Sequence, residues 1–368
     1  MKILFTGGGT AGHILPIVAI IREIKKAYPS SAVKLYYFGP KHKYGTVLLS
    51  KENVKVRNIL TGKFRRYFSI KNFIDIFKIP IGCLQSFISL FFLAPDVIFS
   101  KGGYGSFPIA FSAAILRIPL ILHEADSVPG LASKITSKWA AQIFTSFKST
   151  TGFPKQKTLC LGNPIRDSLL DGSTEKAKEL FNLKGEKQLI LILGGSQGSQ
   201  KINNLILSIL PELLKEFEII HQTGLKNQQY ITKETNALLE KELKPYYHSS
   251  PFLNEEQLKH ALATCNLVIS RAGSGAIFEI AATKKPAILI PLANSAQNHQ
   301  VKNAYEFASS GAGEVIEEDN LKPNFFLQKI ETLLMRPELL QTMSQNAATF
   351  SRPTAAEKIA KYIIEYLT

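Results

Sequence analysis

Apolar residues along the chain fall into two patterns that take turns. Short runs rich in Ile, Leu, Val and Phe alternate with longer segments of helical apolar spacing, the signatures of buried strands and amphipathic helices. In the first half the runs predict strands at 3–5, 33–38, 54–59, 97–100, 120–123, 143–145 and 158–161, with helices at 16–28, 71–92, 107–117 and 131–139. In the second half they predict strands at 189–193, 218–222, 267–270 and 287–290, with helices at 202–215, 255–264, 276–283, 300–309 and 355–366. Regular strand–helix alternation belongs to parallel sheets covered on both faces. The predicted fold class is therefore α/β. At about 150 residues per domain, 368 residues allow two domains. The reading is two doubly wound domains with a cleft between them, 1–163 and 164–350, divided at the turn-forming Gly162-Asn163-Pro164, with a closing segment at 351–368.

Composition is that of a globular protein, and it excludes disordered, collagen-like and coiled-coil chains. Charge changes the picture more. The chain carries 44 Lys+Arg against 29 Asp+Glu, a net of +15. Residues 1–163 hold 22 and 6 of these, a net of +16, which leaves −1 for the remainder. Such an excess points to an anionic partner. Three widely spaced cysteines, Cys83, Cys160 and Cys265, argue against a disulfide framework or a zinc site. No secretory leader is expected, because the opening apolar run breaks into glycines too early.

The basic residues of the first half do not lie along a recognition helix, as a nucleic-acid binder requires. They interleave with aromatics in Lys63-Phe64-Arg65-Arg66-Tyr67-Phe68, just ahead of the uncharged stretch 79–95. That stretch has 17 residues and contains Pro80, too short for a spanning helix. Basic and aromatic residues beside an apolar helix predict a surface that sits on an anionic membrane, with Lys63, Phe64, Arg65, Arg66, Phe68, Phe87 and Phe91 in contact. The competing reading is a core helix, since Leu84, Phe87, Ile88 and Phe91 share one helical face.

In doubly wound sheets ligands bind beyond the C-terminal ends of the strands, so the loops there carry the candidate chemistry. Gly7-Gly8-Gly9-Thr10-Ala11-Gly12-His13 and Gly194-Gly195-Ser196-Gln197-Gly198-Ser199 each follow the first strand of a half and open a helix. Free backbone amides and the helix dipole make such a turn a phosphate cradle. Gly7, Gly9 and Gly12 match G-x-G-x-x-G, but the second strand ends in Phe38-Gly39-Pro40-Lys41, without the carboxylate a dinucleotide ribose needs. Only an NADP reading through Lys41 survives, and no Walker lysine follows either loop. Further loops bring Tyr104, Glu124 and Asp126 to the first half's strand ends, and Arg271, Glu279, His299 and Gln300 to the second half's. His13, Glu124 and Asp126 are the candidates for a general base and its orienting partner.

The segments GGGTAGHILP, KGGYGSFP, LHEADSVPG, LGNPIR, LGGSQGSQKIN, HQTG, SRAGSGAIFEIAATKKPAILIPL and NHQVKNA follow in one order across essentially the whole chain. In them the sequence resembles the MurG family of peptidoglycan glycosyltransferases, which move N-acetylglucosamine from UDP-GlcNAc to lipid I to give lipid II. The resemblance implies a GT-B fold of two Rossmann-like domains, with the helix at 355–366 crossing back onto the first. It implies that Gly195 and Ser196 meet the UDP pyrophosphate, with Gln197 beside them in the donor site, that Arg166 lies near the nucleotide, Glu279 holds the ribose, and His299 and Gln300 read GlcNAc hydroxyls. Thr10, Gly12 and Arg271 complete the implied donor set. On the acceptor side Thr10, His13, Tyr104, Glu124 and Asn203 match. The implied partners are UDP-GlcNAc, lipid I, an anionic membrane surface and other cell-wall synthesis proteins, not nucleic acid. No cofactor and no metal site is expected. The implied place is peripheral, on the cytoplasmic face of the bacterial membrane, in wall synthesis that serves cell shape and division.

Two positions depart from the family pattern. Ala11 replaces a glycine, and His123-Glu124-Ala125-Asp126 stands where the family has His-Glu-Gln-Asn. Asp for Asn exchanges a donor for a possible anion. The expected reaction is an inverting attack by the C4 hydroxyl of the acceptor's MurNAc on the anomeric carbon, with His13 taking the proton. The alternatives are a related transferase acting on another lipid such as diacylglycerol, a sugar-nucleotide 2-epimerase, and a membrane or nucleotide-sensing module with a dead site.

Overall fold

The computed structural model describes residues 1–29, 32–62, 70–195, 197–293 and 295–367. The chain forms two compact units, Met1–Arg166 with Arg352–Thr368, and Asp167–Ser351. In the first, β1 (Lys2–Thr6), α1 (Ala11–Ala27), β2 (Lys34–Gly39), α2 (Lys43–Lys51), β3 (Lys55–Asn58), α3 (Ile70–Leu93), β4 (Val97–Ser100), α4 (Phe107–Ile115), β5 (Leu120–Glu124), α5 (Leu131–Thr136), β6 (Gln142–Thr145) and β7 (Thr158–Cys160) follow in turn. Their strands make one parallel sheet of seven in the order β3-β2-β1-β4-β5-β6-β7.

The second unit runs α6 (Thr174–Phe181), β8 (Gln188–Leu193), α7 (Gln200–Glu216), β9 (Phe217–Gln222), α8 (Gln228–Leu238), β10 (Tyr247–Ser250), α9 (Glu255–Thr264), β11 (Leu267–Ser270), α10 (Ser274–Ala282), β12 (Ala287–Leu289), α11 (His299–Ser309), β13 (Gly313–Val315), α12 (Pro323–Leu334) and α13 (Pro337–Phe350). Its parallel sheet has six strands in the order β10-β9-β8-β11-β12-β13. The last helix, α14 (Ala355–Glu365), belongs to the first unit, where Ile359, Ile363 and Ile364 share a core with Ile17, Ile20, Ile21 and Ile24 of α1. Each such side chain contributes roughly 1.5–3 kcal/mol by leaving water.

The central strands are buried on both faces, as parallel sheets require: Ile3, Leu4 and Phe5 of β1 and Ile190, Leu191 and Ile192 of β8 have no exposed surface. Elements without such runs escape an apolar reading. The edge strands β10 and β13 and the helices α2, α6, α8, α12 and α13 were not expected from the sequence. Local capping specifies some helices instead. His42 accepts the Gly45 amide at the start of α2, and Ser173 accepts the Lys176 amide at the start of α6.

Each sheet reverses its strand order at one place, between β1 and β4 in the first unit and between β8 and β11 in the second. Loops on the two sides of such a point diverge and leave a crevice at the strand ends. The loops that follow these four strands are the glycine loops that open at residues 7, 101, 194 and 271.

Helix α3 carries an inverted face. Gly82, Ser86, Ser89 and Leu90 point inward, while Phe77, Ile81, Leu84, Ile88, Phe91 and Phe92 are exposed, Phe92 by 78%. Small inward residues let α3 lie close on α4, where Ser112 Oγ donates to the Cys83 carbonyl at 3.0 Å. That close approach leaves no room for the aromatics, so the core reading of Leu84, Ile88 and Phe91 fails; Phe87 is half-buried. Among the described residues no helix is long and apolar enough to cross a membrane.

Candidate active site

In the first unit the loop after β1 and the loop after β4 interlock around His13. Its ring lies against Gly8 and Gly103, where an added Cβ would stand 2.7 Å from Cε1 and 2.9 Å from Nε2 respectively. Gly103 also has φ +81°, so any side chain there would be strained as well as crowded. Thr10 Oγ1 stands 2.8 Å from His13 Nδ1, and Tyr104 Oη borders Gly9.

Behind His13 lies Lys101, the residue that follows β4. It is 1% exposed, its amide donates to the Thr6 carbonyl, and its Nζ is 2.9 Å from His123 Nδ1. His123 Nε2 is 3.0 Å from the Gly162 carbonyl, which can only accept. The ring is therefore the Nε2–H tautomer, and Nδ1 accepts from Lys101. Glu124 is buried; it accepts from the amides of Asp126 (3.1 Å) and Gly130 (3.4 Å) and from the Ser133 hydroxyl. Its carboxylate holds the 124–133 turn and positions Asp126.

These groups set one another's protonation. Burial and then the Lys101 charge lower His13 to about 4, against a partial offset from Asp126. Burial and Lys101 also push His123 well below the usual histidine range. Burial lowers Lys101 itself to about 8, with Glu124 and Asp126 pulling the other way. Burial and the neighbouring Asp126 raise Glu124.

The second unit builds its strand ends differently. In the loop after β8, Gly195 and Gly198 have φ of +84° and +76°, and a Cβ on Gly198 would stand 2.1 Å from the Thr223 carbonyl. Gln222 Nε2 donates to the Gly195 carbonyl at 2.9 Å, and its other end accepts the Leu253 amide. Ser199 caps α7 by accepting the Ile202 amide. Arg271 holds that cap, donating to Ser199 Oγ at 2.6 Å and to the Ile290 carbonyl at 3.1 Å while pairing with Glu318. Gln197 is exposed, and Glu279 sits half-buried in the second turn of α10. His299 opens α11, and Gln300 folds back to accept the Leu292 amide while its own amide donates to Ser295 Oγ.

The profile of the Glycosyltransferase family 28 N-terminal domain matches residues 3–145, and that of the Glycosyltransferase family 28 C-terminal domain matches residues 189–359. The chain is 36% identical over 366 residues to the UDP-N-acetylglucosamine--N-acetylmuramyl-(pentapeptide) pyrophosphoryl-undecaprenol N-acetylglucosamine transferase of Clostridium tetani, covering 98% of both chains. The chain belongs to glycosyltransferase family 28. A transferase of the same name from Bacillus anthracis is 37% identical over 93% of this chain and 94% of its own. The fold is shared with the crystal structure of MurG from Acinetobacter baumannii (TM-score 0.75, 23% identity, 99% of each chain). It is shared too with a UDP-GlcNAc 2-epimerase from Neisseria meningitidis bound to UDP-GlcNAc (TM-score 0.69, 17% identity, 99% and 100%). The protein is thus a glycosyltransferase with two α/β units, each built on a parallel sheet.

Within this family member, the structure brings Thr10, His13, Tyr104, Glu124 and Asp126 to one group of strand ends, with Gly12 exposed in the first turn of α1. Gly195, Gln197 and, through Ser199, Arg271 meet at the second unit's reversal point. Arg166 is buried at the end of the first unit. One expectation changes. Asn203 has no exposed surface: its Nδ2 donates to the Thr223 carbonyl and its Oδ1 pairs with His221 Nε2. With both ends of its amide used, it braces the loop and cannot touch an acceptor. Arg271 is partly exposed and also bonds the loop through Ser199. Ser196, Lys63, Phe64, Arg65, Arg66 and Phe68 lie outside the described residues. Lys101 and Gln222 were missed as site residues. Their signal was position, one residue after β4 and the last residue of β9.

Proposed function

We propose that this protein transfers N-acetylglucosamine from UDP-GlcNAc to the C4 hydroxyl of the MurNAc sugar of lipid I, with inversion, to give lipid II. The observation that carries the reading is the 36% identity to the Clostridium tetani transferase across 98% of both chains. The site geometry supports it. The amides of the loop after β8 and the N-terminus of α7 favour the charge that grows on departing UDP. Glu279 and the start of α11 supply groups for ribose and sugar hydroxyls. His13 is neutral at physiological pH. When its Nδ1 donates to Thr10 Oγ1, Nε2 keeps the lone pair that takes the acceptor's proton. Glu124 is a positioning residue, since its oxygens are spent on the Asp126 turn.

The same reading places the protein on the cytoplasmic face of the membrane as a peripheral enzyme. The outward stripe Phe77, Ile81, Leu84, Ile88 and Phe91 on α3, in the unit that carries the basic surplus, supports docking on an anionic lipid surface. Neither unit offers a metal cluster among the described residues. The test is release of UDP from UDP-GlcNAc in the presence of a lipid I analogue, followed by identification of the disaccharide product. Absence of acceptor-dependent release, or transfer to diacylglycerol instead, would overturn the reading.

A further inference from the structure

Lys101 has no part in the transfer as described, yet it is the most completely buried charge in the first unit's site. An ammonium out of water is costly unless its surroundings offset it. Here the offset comes from two directions. His123 Nδ1, on β5, lies at 2.9 Å, with its tautomer set by the Gly162 carbonyl. Glu124 at the end of β5 and Asp126 in the turn beyond it supply negative charge. His13, at the start of α1, lies within reach of the same positive charge, which disfavours a proton on its ring. Position 126 is also where this chain departs from the His-Glu-Gln-Asn pattern by placing a carboxyl where an amide was expected.

We propose that Lys101 is a positioning residue for the transfer, its buried ammonium, held 2.9 Å from His123 Nδ1, set against the Glu124 and Asp126 carboxyls so that the 124–133 turn and His13 keep the arrangement the reaction needs. The proposal rests on the glycosyltransferase reading above. The physical logic is a balance of two opposing neighbours. Lys101 disfavours a proton on His13, while Asp126 favours one. Remove the cation alone, and the carboxyl acts on His13 without opposition. The carboxyls of buried Glu124 and partly exposed Asp126 then also stand near each other with no cation to offset them. Remove both charges together, and the neutral cluster is restored. The pair should therefore behave as one unit, and its members should not contribute additively.

The experiment is a double-mutant cycle with Lys101→Met, which keeps length without charge, Asp126→Asn, and the two combined. Each is assayed for acceptor-dependent UDP release between pH 4.5 and 9. Over this range the parent, with its limb at about 4, should stay nearly flat, whereas Lys101→Met should bring the limb toward about 6.5, lowering kcat/KM by less than about 2-fold at pH 7 and by roughly 30-fold at pH 5. The combined variant should recover to within about 3-fold of the parent at pH 5, with the acid limb shifted back. Additive losses, or an acid limb unmoved in Lys101→Met, would overturn the proposal, because a purely structural role lowers the rate without moving the limb. Histidine ring NMR supplies a readout free of turnover, with the His13 signal assigned through His13→Gln. The midpoint of His13 should rise in Lys101→Met and return in the combined variant; no rise overturns the proposal even if the enzyme's acceptor proves to be another lipid. Failure of the parent chain to transfer sugar would instead overturn the functional reading, and the NMR arm would still decide the role of Lys101.

Discussion

The two units share one scaffold and use it for opposite kinds of site. Both are parallel sheets with glycine loops where strand order reverses. At that point the first unit gathers ionisable side chains: His13, Lys101, His123, Glu124 and Asp126. The second gathers backbone amides, held in place by Gln222, Asn203 and the cap bonded by Arg271. Under the proposed function the difference follows from the tasks. Moving a proton needs groups whose charge can change and whose neighbours tune that change. Holding a diphosphate that leaves with growing negative charge needs fixed dipoles, which cost no reorganisation at the moment of reaction. The charge census agrees, at +16 for residues 1–163 and −1 for the rest.

The contrast can be broken at its strongest point first. His13→Ala should lower kcat by about 10²–10⁴-fold, the usual span for a lost general base. Binding of UDP, measured by calorimetry, should be unchanged; a parallel loss of UDP affinity would place His13 on the donor side instead. Next, Arg271→Ala frees the Ser199 cap and should raise KM for UDP-GlcNAc by roughly 10–100-fold, the worth of a charged hydrogen bond, with a smaller change in kcat. An unchanged KM would show that the loop keeps its shape without the arginine.

A third, smaller effect concerns the outer surface. Leu84→Glu or Phe91→Glu, each at an exposed position on α3, should weaken binding to anionic vesicles about 10-fold or more while leaving UDP affinity intact. Equal vesicle binding would remove α3 from the membrane surface. The smallest effect is with pH. A base held at about 4 should keep nearly full activity between pH 7 and 6, where an unperturbed histidine would lose roughly two thirds. Stability moves in the same sense in both units. His13 (about 4) and His221 (about 3) are lowered in the fold, so they favour folding above about 6.5 and lose that contribution as pH falls toward those values. Calorimetry should show Tm falling by roughly 10 °C between pH 7 and 4.

Much of the fold was legible because parallel strands are apolar on both faces. β4, β11 and α9 were read at their observed ends, 97–100, 267–270 and 255–264. The edge strands β10 and β13 were not, since an edge can be half-exposed and polar. Helix α3 shows the sharper limit. Periodicity placed Leu84, Ile88 and Phe91 on one face, but a face can point either way. What pointed it outward is the small-residue face of Gly82, Ser86 and Ser89 lying on α4.

The candidate site divides in the same manner. Short motifs name loops, and loops after strands in a doubly wound sheet must collect at one edge, so His13, Glu124, Gly195 and Arg271 could be nominated from order alone. Whether a nominated residue faces a substrate or braces its neighbours depends on distances between segments far apart in the chain. Asn203 and Thr223, Arg271 and Ser199, and Lys101 and His123 meet only in the fold. By itself the sequence determined the α/β class, the family resemblance and the uneven charge, all of which are local or additive properties. Tertiary structure alone decided the roles of individual polar residues, because burial and hydrogen bonding are properties of pairs.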